Sequence, residues 1–295
     1  MLAGRLGLVK TNLAHKDRHG LLYLEHGTLK TSNGGVVFES PGSENISPGQ
    51  MMLPFERLSI LLLGPGVSVT HDVFRILGRH KVLVQIVGEQ GVKFYSAIYG
   101  ESHKSALARV HAELWVDEST RLKIARRMYA MRFGQVLPHR DIEVLRGIEG
   151  GRMKEAYRLL AAQYQIKWSG RRFDRKNPGK ADIPNQAINH AQSFVKAAAE
   201  IAVNATGAIP SLGFIHEHTG MAFILDIADL FRTSTTIPIA FKAAKTAKKN
   251  NKSIESITRL EAVQVFKQER VIEGMIDKIK ELIDNDTSGD NERIR

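Results

Sequence analysis

Along the first hundred residues the apolar positions come in short extended runs: Leu21 to Glu25, Leu29 to Thr31, Val36 to Glu39, Ile60 to Leu63, Lys81 to Val87 and Val92 to Ala97. Gly34-Gly35, the stretch Pro41 to Gly49, Gly64-Pro65-Gly66 and Glu89-Gln90-Gly91 interrupt these runs with the chemistry of hairpins and loops. One short helix breaks the series. Thr70 can cap a helix through Leu77, with Val73, Phe74 and Leu77 on one face and Gly78 at its end. After Gly100 the apolar period lengthens to that of a helix and predicts helices over 102–133, 140–165, 182–205, 219–231, 238–249 and 255–283. This change of period places a domain boundary near residue 100. Residues 285–295 are polar and aperiodic, which predicts a disordered tail.

Composition narrows the chemistry. The chain has 295 residues, 43% of them hydrophobic, which excludes disorder throughout and suits two domains of ordinary size. It has no cysteine, so disulfides, thiolate zinc sites, iron–sulfur clusters and cysteine nucleophiles are excluded, and any metal must be held by oxygen and imidazole. No run approaches the roughly 18 apolar residues that span a bilayer. The start, Met1-Leu2-Ala3-Gly4-Arg5-Leu6, lacks the apolar region of a secretory signal, so the expected compartment is the cytoplasm. Lys and Arg number 42 against 31 Asp and Glu, a net charge of +11, which favours a polyanionic partner and nucleic acid first. P-loop, G-x-G-x-x-G, G-x-S-x-G and H-E-x-x-H patterns are all missing, which removes nucleotide hydrolysis and dinucleotide redox chemistry.

Four constellations remain. Gly220 to Phe231 is apolar nearly all round, the mark of a buried helix, and only Asp226 and Asp229, three apart on one face, interrupt it. Two ionised carboxylates in a dry site need a cation or a basic side chain from a neighbouring helix; both readings stand. His216, ten positions before Asp226, is either a ligand or a satisfied core histidine. Glu149 lies among Gly147, Gly150 and Gly151, with Arg146 and Arg152 three residues either side. It is a ligand or a rung of a surface ion-pair ladder, and glycines so costly to a helix point to close backbone approach. Finally, residues 166–180 carry six basic residues against one acidic, with Trp168 and Phe173 interleaved, and Lys242, Lys245, Lys248, Lys249 and Lys252 form a second basic run. Phosphate binding with base stacking competes there with a core-anchored aromatic in a solvated basic loop.

With these residues in view, the chain resembles the CRISPR-associated spacer-acquisition integrases, specifically their type I-E branch, from about Lys16 to Phe266. The resemblance rests on Leu145-Arg146-Gly147-Ile148-Glu149-Gly150, Trp168 to Asp174, Gly213 to His216 and Asp226 to Asp229, in that order and spacing. Val87 to Val92 is similar to the family's hairpin and Lys16-Asp17-Arg18 to its early basic motif. It implies an α+β fold: an amino-terminal β-sandwich-like dimerisation domain over 1–100, a larger all-α catalytic domain over 101–284, and the tail. Implied partners are double-stranded DNA, as prespacer and CRISPR repeat, a second copy of the chain, and a small ferredoxin-like adaptation protein bridging two dimers, with no membrane. The implied metal ligands are Glu149, His216 and Asp229, holding Mg²⁺ or Mn²⁺, with Asp226 as a further active-site carboxylate.

Expected DNA contacts are Lys93, Arg146, Arg152, Trp168, Arg171, Arg172, Arg175, Lys176, Lys245, Lys248 and Lys249. Two departures stand out. The branch commonly follows its histidine with Thr-Gly, where this chain has Glu217-His218-Thr219-Gly220, so His218 competes with His216; and Leu225 stands where members often carry Tyr. The implied reaction is attack of a spacer 3′-hydroxyl on a repeat phosphodiester. A hydrolytic nuclease on branched or single-stranded DNA and a non-catalytic DNA scaffold are the rival readings.

Overall fold

The computed structural model describes residues 20–42, 48–89, 92–98, 105–135, 141–172, 181–247 and 253–284. The expectations for Lys16-Asp17-Arg18, for 173–180, for Lys248, Lys249 and Lys252 and for the tail lie outside these residues. The chain divides into two compact units, one of residues up to 86 with 97–103, the other of 87–96 with residues from 104 onward.

The first unit is β-rich. Its strands are β1 (Gly20–Leu24), β2 (Gly27–Ser32), β3 (Gly35–Ser40), β4 (Gly49–Met52), β5 (Leu58–Leu63), β6 (Val67–Val69) and β7 (Leu83–Val87), and β8 (Phe94–Ile98) runs from one unit into the other. They form two four-stranded sheets in the orders β1-β5-β7-β8 and β4-β3-β2-β6. Asn33 and Gly34, both at positive φ, make the tight turn that pairs β2 with β3 antiparallel. β3 and β4 also pair antiparallel, whereas β1, β5 and β7 pair in parallel, and parallel neighbours need a crossover. The crossover from β5 to β7 contains β6 and the short helix α1 (His71–Arg79). Leu24, Leu29, Val36, Phe38, Leu61, Leu63, Val73, Leu77 and Val84 make one core that draws on both sheets and α1.

The second unit is helical: α2 (Ala106–Val116), α3 (Glu118–Phe133), α4 (Ile142–Gln163), α5 (Ile183–Thr206), α6 (Ala222–Leu230), α7 (Ile237–Ala247), α8 (Ile254–Glu269) and α9 (Val271–Asp284). Two of the expected long helices are broken in the middle. Asp117 adopts an extended conformation and its carboxylate accepts the N–H of Thr120 at 2.7 Å, so it ends α2 by capping α3. Arg270, at φ 50°, breaks 255–283 into α8 and α9 without a glycine. The centre is α5, whose Ala187, Ala191, Ala198, Ala199 and Ala202 are buried and small enough to let α6, α7, α8 and α9 pack closely around it. A π-helical turn, Arg232–Thr236, joins α6 to α7. Among the described residues no helix is long and apolar enough to cross a membrane.

Candidate active site

Helix α6 is buried through Ala222, Phe223, Ile224 and Ile227, which fixes the direction of its two carboxylates. Asp226 is enclosed and faces back onto the segment before the helix. Its Oδ2 accepts the backbone N–H of Phe214 at 2.6 Å and of Ile215 at 3.0 Å. Oδ1 accepts the N–H of His216 at 3.0 Å and faces His216 Nδ1 at 2.6 Å. Four donors on two oxygens are what a buried carboxylate requires. A carboxylate bond at Nδ1 fixes the tautomer of a neutral imidazole and leaves the Nε2 lone pair available. These bonds give Asp226 a definite place beside the expected ligand His216. Both of its oxygens are occupied in holding that segment.

The segment is fastened from every side. A Cβ on Gly213 would collide with the His216 carbonyl oxygen and lie 2.7 Å from the Ala222 Cβ, so only glycine allows this fold of the chain. His111 of α2 donates from Nε2 to the Leu212 carbonyl at 2.8 Å while its Nδ1 accepts the Ile209 N–H at 3.2 Å. Burial pushes the His111 pKa down to about 4, which keeps the ring neutral for this double role. Trp115 Nε1–H donates to the Gly213 carbonyl at 2.9 Å, and Arg146 of α4 donates from Nη2 to the Ile215 carbonyl at 2.6 Å. The Asp226 bond raises the His216 pKa; burial opposes it, and the charges of Asp226, Asp229 and Glu149 raise it further.

Glu149 of α4 and Asp229 of α6 meet at a residue that the sequence does not single out. Arg132 of α3 contacts the Glu149 Oε1 with Nη1, and the same nitrogen lies 3.8 Å from Asp229 Oδ2. Arg232 contacts the other Asp229 oxygen. The Arg132 side chain is 3% exposed, and among the described residues its Nε and Nη2 have no hydrogen-bond partner. Tyr129, one turn earlier, has its pKa raised by burial and by the Glu149 carboxylate, so the phenol stays neutral. A signal for Arg132 does exist in the sequence: it continues the stripe of Ala125, Met128 and Tyr129, the buried face of α3. Among the described residues no three His, Asp or Glu side chains are grouped closely enough to hold a metal as they stand. Two of the expected ligands, Glu149 and Asp229, meet instead at a guanidinium.

The remaining candidates are scattered. His218 is exposed, and its neighbour Glu217 faces Arg121 at 3.8 Å. Trp168 stacks on Tyr157 at 5.2 Å and meets Phe241 edge-on at 5.5 Å, so much of its ring is used in packing. Arg171 is drawn onto α5, donating to Asn185 at 3.0 Å, Asn189 at 2.6 Å and Gln192 at 3.2 Å. Arg152 lies 4.8 Å over the Phe133 ring, Lys245 donates to Gln165 at 3.3 Å, and Lys242 pairs with Glu261. Lys93 and Arg172 are exposed. Arg175, Lys176, Lys248 and Lys249 lie outside the described residues. Nothing in the described residues of the chain comes close to the glycines of α4. A Cβ on Gly147, Gly150 or Gly151 would meet nothing within 4 Å.

Comparison with known proteins places this arrangement. The sequence profile of the family described as CRISPR associated protein Cas1 matches residues 21–137 and 130–263. The CRISPR-associated endonuclease Cas1 of Geobacter sulfurreducens is 33% identical over 91% of this chain and 85% of its own length. That of Escherichia coli K12 is also 33% identical, over 91% of this chain and 86% of its own. A crystal structure of TtCas1 in complex with DNA superposes with a TM-score of 0.81 at 30% identity, covering 90% of this chain and 97% of that one. With a family match across most of its length and relatives a third identical over nine-tenths of it, the chain belongs to the Cas1 family of CRISPR-associated proteins.

Proposed function

We propose that this protein is a DNA integrase with nuclease capability that inserts new spacer DNA into a CRISPR repeat array, and that it belongs to the type I-E branch of its family. The observation that carries the reading is the meeting of Glu149 and Asp229 at Arg132, with the charges of both acting on the His216 imidazole that Asp226 orients. The names of the curated relatives as endonucleases and the solved complex of a relative with DNA support the class of substrate and reaction. The motif set from Leu145 to Asp229 supports the branch.

Mg²⁺ or Mn²⁺ fits the donors: two carboxylates and one imidazole with a free Nε2 suit a hard or borderline divalent ion. The buried, under-partnered guanidinium between the carboxylates marks a place where positive charge is wanted. Glu149, His216 and Asp229 would hold the ion. Once bound, it would polarise the scissile phosphate and stabilise charge on the departing oxygen. The protein's own part is orientation. Asp226 holds His216 Nδ1 so that Nε2 stays available, and Arg146, Trp115 and His111 hold the segment that carries it. The spacer 3′-hydroxyl would attack the repeat phosphodiester, and the displaced 3′-oxygen would leave with the hydroxyl's proton. One ester is exchanged for another, so no nucleotide hydrolysis is needed, in keeping with the missing P-loop.

Homodimerisation, a bridging ferredoxin-like partner and a cytoplasmic setting belong to this proposal. An integration assay tests it. With purified partner, prespacer, repeat DNA and Mg²⁺, the protein should yield prespacer strands joined to the repeat. Shortened DNA without joined product would assign a hydrolytic nuclease, and unchanged function in Asp229→Ala would leave only a scaffold.

A further inference from the structure

Arg132 presents a problem that its family membership does not explain. Its side chain is 3% exposed, touches Glu149, lies 3.8 Å from Asp229, and leaves both Nε and Nη2 without a partner among the described residues. A buried guanidinium ordinarily has its five N–H groups satisfied, because each unpaired one forfeits hydration. This one is held by charge at a single nitrogen. Arg232, the other partner of Asp229, is more exposed and can turn to solvent. Arg132 cannot, since its side chain lies inside the helical unit.

We propose that Arg132 is a resident counter-cation that competes with the divalent ion for Glu149 and Asp229. The proposal rests on the metal reading above and adds a step to it. Two carboxylates brought together in a largely enclosed place repel each other, and without an ion Arg132 neutralises them. An arriving divalent cation meets a fixed positive charge on the very oxygens it needs, so it binds only as the guanidinium withdraws from them. The unpartnered Nε and Nη2 make that withdrawal cheap, because few hydrogen bonds are given up. The neighbouring Phe133 ring, 5.8 Å from the guanidinium carbon, offers it a face to rest on. Metal occupancy is thereby set by an internal competitor: the site fills at high ion concentration and holds together when empty.

Mn²⁺ binding followed by electron paramagnetic resonance on the full chain, without DNA, tests this. Arg132→Met should tighten Mn²⁺ binding by about tenfold or more, the effect of deleting one close opposing charge. The ion-free variant should melt below the wild type, and Mn²⁺ should raise its melting temperature more than it raises that of the wild type. A merely structural arginine would instead weaken Mn²⁺ binding when removed. A folded Arg132→Met protein with unchanged or weaker Mn²⁺ affinity overturns the proposal. If that variant does not fold, the wild type supplies the answer: the Arg132 Nε–H signal, assigned by its loss in Arg132→Lys, should shift as Mg²⁺ is added. A signal that stays fixed while Mg²⁺ raises the melting temperature overturns the competition alone. Mn²⁺ affinity that is untouched by Glu149→Gln overturns the metal reading beneath it.

Discussion

Asp226 takes more hydrogen bonds than any reacting group could spare, and this separates its role from those of its neighbours. Replacing it with Asn keeps the shape but turns an NH₂ towards backbone N–H groups that need an acceptor. Asp226→Asn should therefore lower stability by about 2–4 kcal/mol in urea unfolding and abolish strand transfer as well. Glu149→Ala, His216→Ala and Asp229→Ala should abolish strand transfer while DNA affinity stays within a few-fold of wild type, and His218→Ala should retain activity. Active His216→Ala protein beside inactive His218→Ala would reverse the choice of histidine. The carboxylate pair and the ten-residue spacing to His216 are legible in the sequence because charge on an otherwise apolar helix is conspicuous. Arg132 is not, because α3 also carries Arg121, Arg126 and Arg127, and only its position on the buried stripe distinguishes it.

Helices are the readable elements, and their breaks are not. Asp117 opens the polar run Asp117 to Arg121 and Arg270 closes the run Lys267 to Arg270, but runs of this length also lie on the exposed face of a continuous helix, so the pattern alone does not mark the break. The strands β4 and β6 escape the pattern for the opposite reason: they are short, β4 is exposed throughout, and neither repeats an apolar alternation. The glycines of α4 are the more telling case. With open space beyond each of them, Gly150→Ala and Gly151→Ala should each raise stability by about 0.5–1 kcal/mol, the helix propensity recovered. A simultaneous fall in DNA affinity, measured by fluorescence anisotropy, would identify this bare face of α4 as a place where a nucleic-acid backbone comes close; unchanged affinity would exclude it. The tie between α2 and the segment at 209–212 gives a dependence on acidity. His111 has a depressed pKa in the folded protein, so the protein keeps this stability above pH 6.5 and loses it as pH falls from there towards 4. The loss should reach about 3 kcal/mol, and His111→Gln should remove this part of the slope of unfolding free energy against pH.

At the scale of the molecule, a net charge of +11 announces a polyanion without saying where it lies. Several of the basic residues that sequence alone offers have occupations inside the protein, Arg171 on α5 and Lys242 on Glu261 among them. Arg171→Gln should accordingly lower the melting temperature and leave the salt dependence of DNA binding alone. Neutralising Arg172, Arg175 and Lys176 together should flatten the slope of log affinity against log salt by up to about 0.9 for each phosphate that is no longer neutralised. An unaltered slope would move the phosphate track elsewhere. The bonds that fasten the histidine segment have one more consequence, in time. They join residues 101, 98 and 69 positions apart, and the residue that holds the imidazole comes later still. During synthesis α2, α3 and α4 leave the ribosome long before Asp226 and Asp229 exist, so an unfinished chain can already carry basic surface and meet DNA but has no centre with which to cut it.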